Sequence, residues 1–344
     1  MKNSFSTIIA NNEICNYFAN SISSNSLSHA YILLGAKGTG KHTLARLVAA
    51  ALNCENKLKN NEDLPCLICN SCQKIINGIS PDILLIGRDD KATIGIDAVR
   101  FIKNDISTYP NDGDYKIYII EDAHTMTKQA QNALLLTLEE PPSYAVFILL
   151  CENTDNILET IKSRAPILRM KTPSEEEAID FLKKNNPQAR NFILNSPEEF
   201  KQIYIASNGS IGRISELIGS TEKKNILQNR ELALKLVKSI ADHSLSRDFS
   251  EILAMFSQKR DERERLLTQL SEFESALRDI MVIKKSDSPK MIFFTDSQYA
   301  EELSYSFSIQ QISNIMQNTE KAKSALMKNA NVKLTITHYL SNLI

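Results

Sequence analysis

Gly35-Ala36-Lys37-Gly38-Thr39-Gly40-Lys41-His42-Thr43 follows directly on the apolar run Ala30–Leu34 and opens a stretch, Lys41–Leu52, with apolar residues at helical spacing. A strand, a glycine-rich turn and a helix in that order place backbone N–H groups and a helix N-terminus around an anion, which is the context a phosphate loop requires. Gly35, Gly38 and Gly40 let the chain turn tightly, Thr39 lies between the last two, and Lys41 has the reach for a terminal phosphate. His42 stands where the motif ordinarily carries Ser or Thr, whose hydroxyl is a ligand for Mg²⁺. An imidazole is a poor substitute for that oxygen. Thr43, one residue on, is rotated by ~100° around the helix. The expectation is a site that binds nucleotide and is weak at hydrolysing it.

Working outward, short apolar runs alternate with amphipathic stretches through the first half of the chain. Strands are expected at Asp82–Ile86, Lys116–Ile120, Ala145–Leu150 and Pro166–Met170, with helices at Gly95–Ser107, Lys128–Glu140 and Asn156–Ser163. This is the pattern of a parallel sheet covered on both faces. The run Lys116–Ile120 ends in Glu121-Asp122, a carboxylate pair of the kind that holds a metal through water and polarises an attacking water. A strand ending in a solvated acidic turn would look the same, and the phosphate loop upstream decides for the functional reading.

Four of six cysteines, Cys54, Cys66, Cys69 and Cys72, lie within one short stretch, while Cys15 and Cys151 stand alone in apolar surroundings. Two C-x2-C steps let four thiolates converge tetrahedrally, so the expected ligand is a structural zinc with no open coordination position. Buried free thiols or a redox pair are the alternatives. Lone His29 and His124 lack a companion at metal-ligand spacing.

The chain of 344 residues carries 40 basic and 41 acidic side chains, with 42% hydrophobic and 24% charged residues. That length exceeds one ordinary core, the composition argues against extensive disorder, and the balanced charge excludes a uniform positive field for nucleic acid. The N-terminal stretch lacks the apolar core of a signal peptide and no run is long enough to span a bilayer, so a soluble, cytoplasmic protein is expected with no membrane partner. After Met170 the strand pattern stops. Residues 171–212 read as a small helical domain, closed near Gly209-Ser210-Ile211-Gly212, and 213–344 as an all-helical third domain. The mixed-sign run Gln258–Arg265 reads as a solvated helix face.

Ser28-His29-Ala30-Tyr31, the glycine loop, the cysteine insertion, Ile119-Ile120-Glu121-Asp122-Ala123, Asn132-Ala133-Leu134-Leu135, Leu138-Glu139-Glu140-Pro141-Pro142 and Ser163-Arg164 together resemble the bacterial DNA polymerase III clamp-loader family, over roughly residues 20 to 215. The resemblance implies an α/β P-loop AAA+ domain (1–170), a helical lid and an all-α collar. It further implies a place in a hetero-oligomer with gamma/tau and delta subunits that loads a sliding clamp onto primed DNA. Arg164 matches the family's arginine finger, which acts in trans on a neighbour's ATP, although Ala165 replaces the cysteine that follows it there. Within the family, the Glu-Asp order, Gly212 at the place of a sensor arginine and the absence of a long extension resemble the delta-prime type. The alternative is a gamma/tau-type motor that itself hydrolyses ATP, with Thr43 standing in for the missing ligand. Cys151-Glu152-Asn153-Thr154 matches the family's sensor-1 region poorly and is assigned no role.

Overall fold

The computed structural model describes residues 4–57, 64–88, 92–220, 222–256, 262–286 and 291–343. Five strands, β1 (Ala30–Leu34), β2 (Ile83–Ile86), β3 (Lys116–Ile120), β4 (Ala145–Cys151) and β5 (Ile167–Arg169), form one parallel sheet in the order β2-β3-β4-β1-β5. The register aligns their carboxyl ends: Leu34 pairs with Cys151 and Arg169, Ile120 with Leu149, and Ile86 with Ile120. Whatever follows β1, β2, β3 and β4 therefore emerges along one edge, where open parallel sheets place their ligands.

Parallel strands are covered on both faces, so β1, β3 and β4 are buried throughout and their sequences read as unbroken apolar runs. Alternate residues serve opposite layers. Tyr31, Leu33, Ile117, Ile119, Val146, Ile148 and Leu150 join a core with α1 (Asn12–Ser23), α2 (Lys41–Leu52) and α3 (Asn70–Ile76). Ala30, Ile32, Leu34, Tyr118, Ile120, Phe147 and Leu149 face α4 (Ile96–Asp105), α5 (Lys128–Glu139) and α6 (Glu159–Lys162). In α2, Leu44, Leu47, Val48 and Leu52 are buried, each contributing about 1.5–3 kcal/mol against exposure. That anchorage holds the glycine loop at its N-terminus.

The chain divides into two compact units, residues 1–181 with 209–212, and 182–208 with 213–344. Beyond the sheet come α7 (Glu175–Asn185), α8 (Pro187–Asn195), α9 (Pro197–Ala206), α10 (Ile211–Ile218), α11 (Glu222–Ala241), α12 (Leu245–Phe256), α13 (Glu262–Ile283), α14 (Ser297–Tyr305), α15 (Ile309–Met327) and α16 (Val332–Ser341). In the acidic start after Pro173, Ser174 and Glu177 each accept a bond from the other's backbone N–H, closing the first turn of α7. Left-handed Asn208 and Gly209 end the turn after α9. The second unit's core draws on Leu232 and Leu236 of α11, Phe273, Leu277 and Ile280 of α13, and Ile312 and Leu326 of α15. Of the charged run, residues 258–261 lie outside the described residues. No helix among the described residues is long and apolar enough to cross a membrane.

Candidate functional site

At the carboxyl edge of β1 the loop turns through Gly38 (φ +81°) and Gly40 (φ +87°), both in the left-handed region that side chains disfavour, and Gly40 caps α2. Gly38 is required twice over: a Cβ there would stand 1.8 Å from Ser210 Oγ. The Thr39 hydroxyl donates to Ala36 O (2.9 Å). Lys41, the first residue of α2, is buried, and its ammonium donates to the carbonyls of Gly35 (2.6 Å) and Ala36 (2.8 Å). Burial pushes its pKa below the usual lysine range, against an opposing pull from Glu152 and Asp122.

The expected loop and carboxylate residues share this edge. His42 Nδ1 lies 2.9 Å from Glu121 Oε1. Asp122, itself left-handed at φ +47°, accepts from Arg88 Nη2 at 2.7 Å. Each carboxylate thus already has a cationic or N–H partner from this chain, and position 42 supplies an imidazole in place of a hydroxyl. This donor set does not fit a Mg²⁺ seat, which calls for hard oxygen ligands. Thr43 makes no contact with the pair among the described bonds.

The second cluster begins two residues beyond the other end of α2. Cys54, Cys66, Cys69 and Cys72 place their sulfurs within 4.8 Å of one another, and Cys66 Sγ is 4.0 Å from Cys72 Sγ. Four thiolates around a tetrahedral zinc at ~2.3 Å would sit ~3.8 Å apart, so the group fits that ion. Cys69 caps α3, its sulfur accepting from Cys72 N (3.4 Å), and Cys66 accepts from Cys69 N and Asn56 Nδ2 (3.4 Å each). Such N–H···S bonds suit thiolates. At Cys66, burial pushes the pKa up, but N–H donors from Ile68, Cys69 and Asn56 and its contact with Cys54 prevail and hold it at about 6. Burial raises Cys54 and Cys72.

Arg164 sits just beyond α6, about one-third exposed, with Nη2 on Glu139 Oε1 (2.9 Å) and Nη1 on Thr160 O (3.0 Å). Sequence reading identified neither Glu139 as its partner nor Arg88 and Ser210 as parts of the loop's surroundings. Arg88 follows Gly87 at the end of β2, so the rule that ligands gather at strand carboxyl ends would have raised it. No sequence signal pointed to Ser210.

Residues 10–174 match the family described as "DNA polymerase III, delta subunit". A protein of Buchnera aphidicola subsp. Schizaphis graminum named DNA polymerase III subunit gamma is 37% identical over 180 residues, 52% of this chain and 48% of that one. The Bacillus subtilis DNA polymerase III subunit tau is 30% identical over 238 residues, 69% of this chain and 35% of that protein. A subunit gamma from Buchnera aphidicola subsp. Baizongia pistaciae is 26% identical over 323 residues, 90% of this chain and 83% of that one. The chain spans about half the length, or less, of the first two of these relatives.

Proposed function

We propose, from the premise that residues 10–174 belong to the DNA polymerase III delta/gamma/tau-type clamp-loader family, that the chain works as a clamp-loader subunit whose glycine loop takes a nucleotide. The observation that carries this is the loop itself, held at the N-terminus of a buried helix with Lys41 beside the Glu121-Asp122 edge. The loop's N–H groups and the helix dipole would cradle a phosphate chain, and Lys41 would exchange its two carbonyl partners for phosphate oxygens.

Curated relatives named gamma and tau support a gamma/tau-type subunit over the delta-prime type that the residue pattern suggested. In either, the four cysteines would hold a structural zinc that fixes the insertion after α2. Arg164 would serve a neighbouring subunit's ATP, and the assembly with gamma/tau and delta partners would place a sliding clamp on primed DNA. Residues 1–170 would then be the P-loop domain, 171–212 the lid and 213–344 the collar. The delta-prime role stays as a second reading, favoured by one specific observation: the His42–Glu121 and Asp122–Arg88 pairs, which oppose a hydrolytic metal site.

Steady-state ATPase of the purified chain, with Lys41→Ala beside it, separates the two. Turnover on the order of 1 s⁻¹ or slower that disappears in the variant supports the gamma/tau reading. No turnover above a mock preparation supports the supporting-subunit reading.

A further inference from the structure

The acidic pair at the end of β3 is already partnered by this chain's own side chains. Glu121 Oε1 lies 2.9 Å from His42 Nδ1, and Asp122 meets the guanidinium of Arg88 at 2.7 Å. These partners come from different places, the second residue of α2 and the loop after β2, so the arrangement is not an accident of one helix. Seating Mg²⁺ here would break a charge-assisted bond at each carboxylate and recruit no hydroxyl at position 42 in return. Meanwhile the positive groups that a bare phosphate chain needs are supplied by the protein: the Lys41 ammonium and the N-terminus of α2.

We propose that this loop binds its nucleotide as the metal-free polyphosphate, with His42 and Arg88 holding the carboxylates that would otherwise recruit Mg²⁺. The inference rests on the reading of the loop as a nucleotide site and deepens it by naming the bound species. It is independent of which clamp-loader role the subunit fills.

The test is calorimetric titration of the full-length protein with the non-hydrolysable analogue AMP-PNP, in Mg²⁺ buffer and in buffer passed over chelating resin. Free chelator is left out so that any metal on the cysteines stays in place. The expected Kd values agree within about twofold between the two buffers, and Mg²⁺ tightens binding about tenfold in His42→Ser, where a hydroxyl returns and Glu121 is released. Tightening of the native protein by Mg²⁺ to about tenfold or more would overturn the inference while leaving the nucleotide reading standing. A His42→Ser protein with no response to Mg²⁺ would equally overturn it, since His42 would not be what excludes the ion. Failure of the native protein to bind in either buffer removes the nucleotide reading and the inference with it.

Discussion

Under the proposed function Arg164 would act on a neighbouring subunit, and its position is set locally. Its guanidinium spends one nitrogen on Glu139 and another on Thr160 O, leaving donor capacity on a group that is always charged. Glu139 fixes the direction of that side chain, and in the proposed role it would position the guanidinium for a neighbour's phosphate. In a clamp loader reconstituted with Arg164→Ala, DNA-stimulated ATP turnover is expected to fall by on the order of 10³-fold. Glu139→Gln, which keeps the shape and loses the charge, should cost about tenfold or less, with nucleotide affinity of the complex unchanged. Full turnover in the Arg164→Ala complex would end the finger role. At this scale the sequence was readable where a residue type serves a local geometry: Gly38 and Gly40 take the left-handed φ that most side chains disfavour, and Lys41 follows at the first position of α2. Arg88, Glu139 and Ser210 stayed hidden because they are defined by what lies opposite them, and pairing across strands and helices leaves no local pattern.

At the scale of elements, β1, β3 and α2 fall where their apolar patterns place them, because a fully buried strand or helix is written in an unbroken apolar run or face. The disagreements have tertiary causes. The helix expected over Asn156–Ser163 shortens to Glu159–Lys162 because Gln131 reaches across, donating to Asn156 O (2.8 Å) and accepting from Leu158 N (2.8 Å), which ties those backbone groups to α5. Pro166 drops out of β5 for want of an N–H, though its carbonyl still receives Ile32 N. In the helical half, Asp279 on α13 is fully buried and accepts the backbone N–H groups of Ile292, Phe293 and Phe294, with Arg278 alongside. Asp279→Ala would orphan three donors in the core of that unit. Chemical denaturation of the variant should show a loss of about 2–4 kcal/mol, and a loss below about 1 kcal/mol would mean that water replaces the carboxylate.

For the molecule as a whole, the thiol cluster is the place among the described residues where a bound ion would add to folding energy directly. Cys54 lies two residues past the end of α2 and Cys69 and Cys72 bracket the first turn of α3, so the ion would join the sheet's main helix to its small neighbour. The purified protein is expected to carry one equivalent of zinc by elemental analysis. Cys66→Ser with Cys69→Ser should remove it and lower Tm by about 5 °C or more. Stoichiometric zinc that persists in the double variant would place the ion elsewhere. That only helices follow β5 among the described residues was legible from where the strand pattern stops. The allotment of 182–208 and 209–212 to different units was not, since it depends on which surfaces a helix leans on and not on its own residues.

The sheet also tapers. Its central β4 runs seven residues, while the outermost β2 and β5 run four and three. Its rims consequently offer few unsatisfied N–H and C=O groups for an incoming polypeptide to zip onto, even though Leu85 on the outer strand is half exposed. A protein so built can be crowded against copies of itself without its β-structure fusing into theirs.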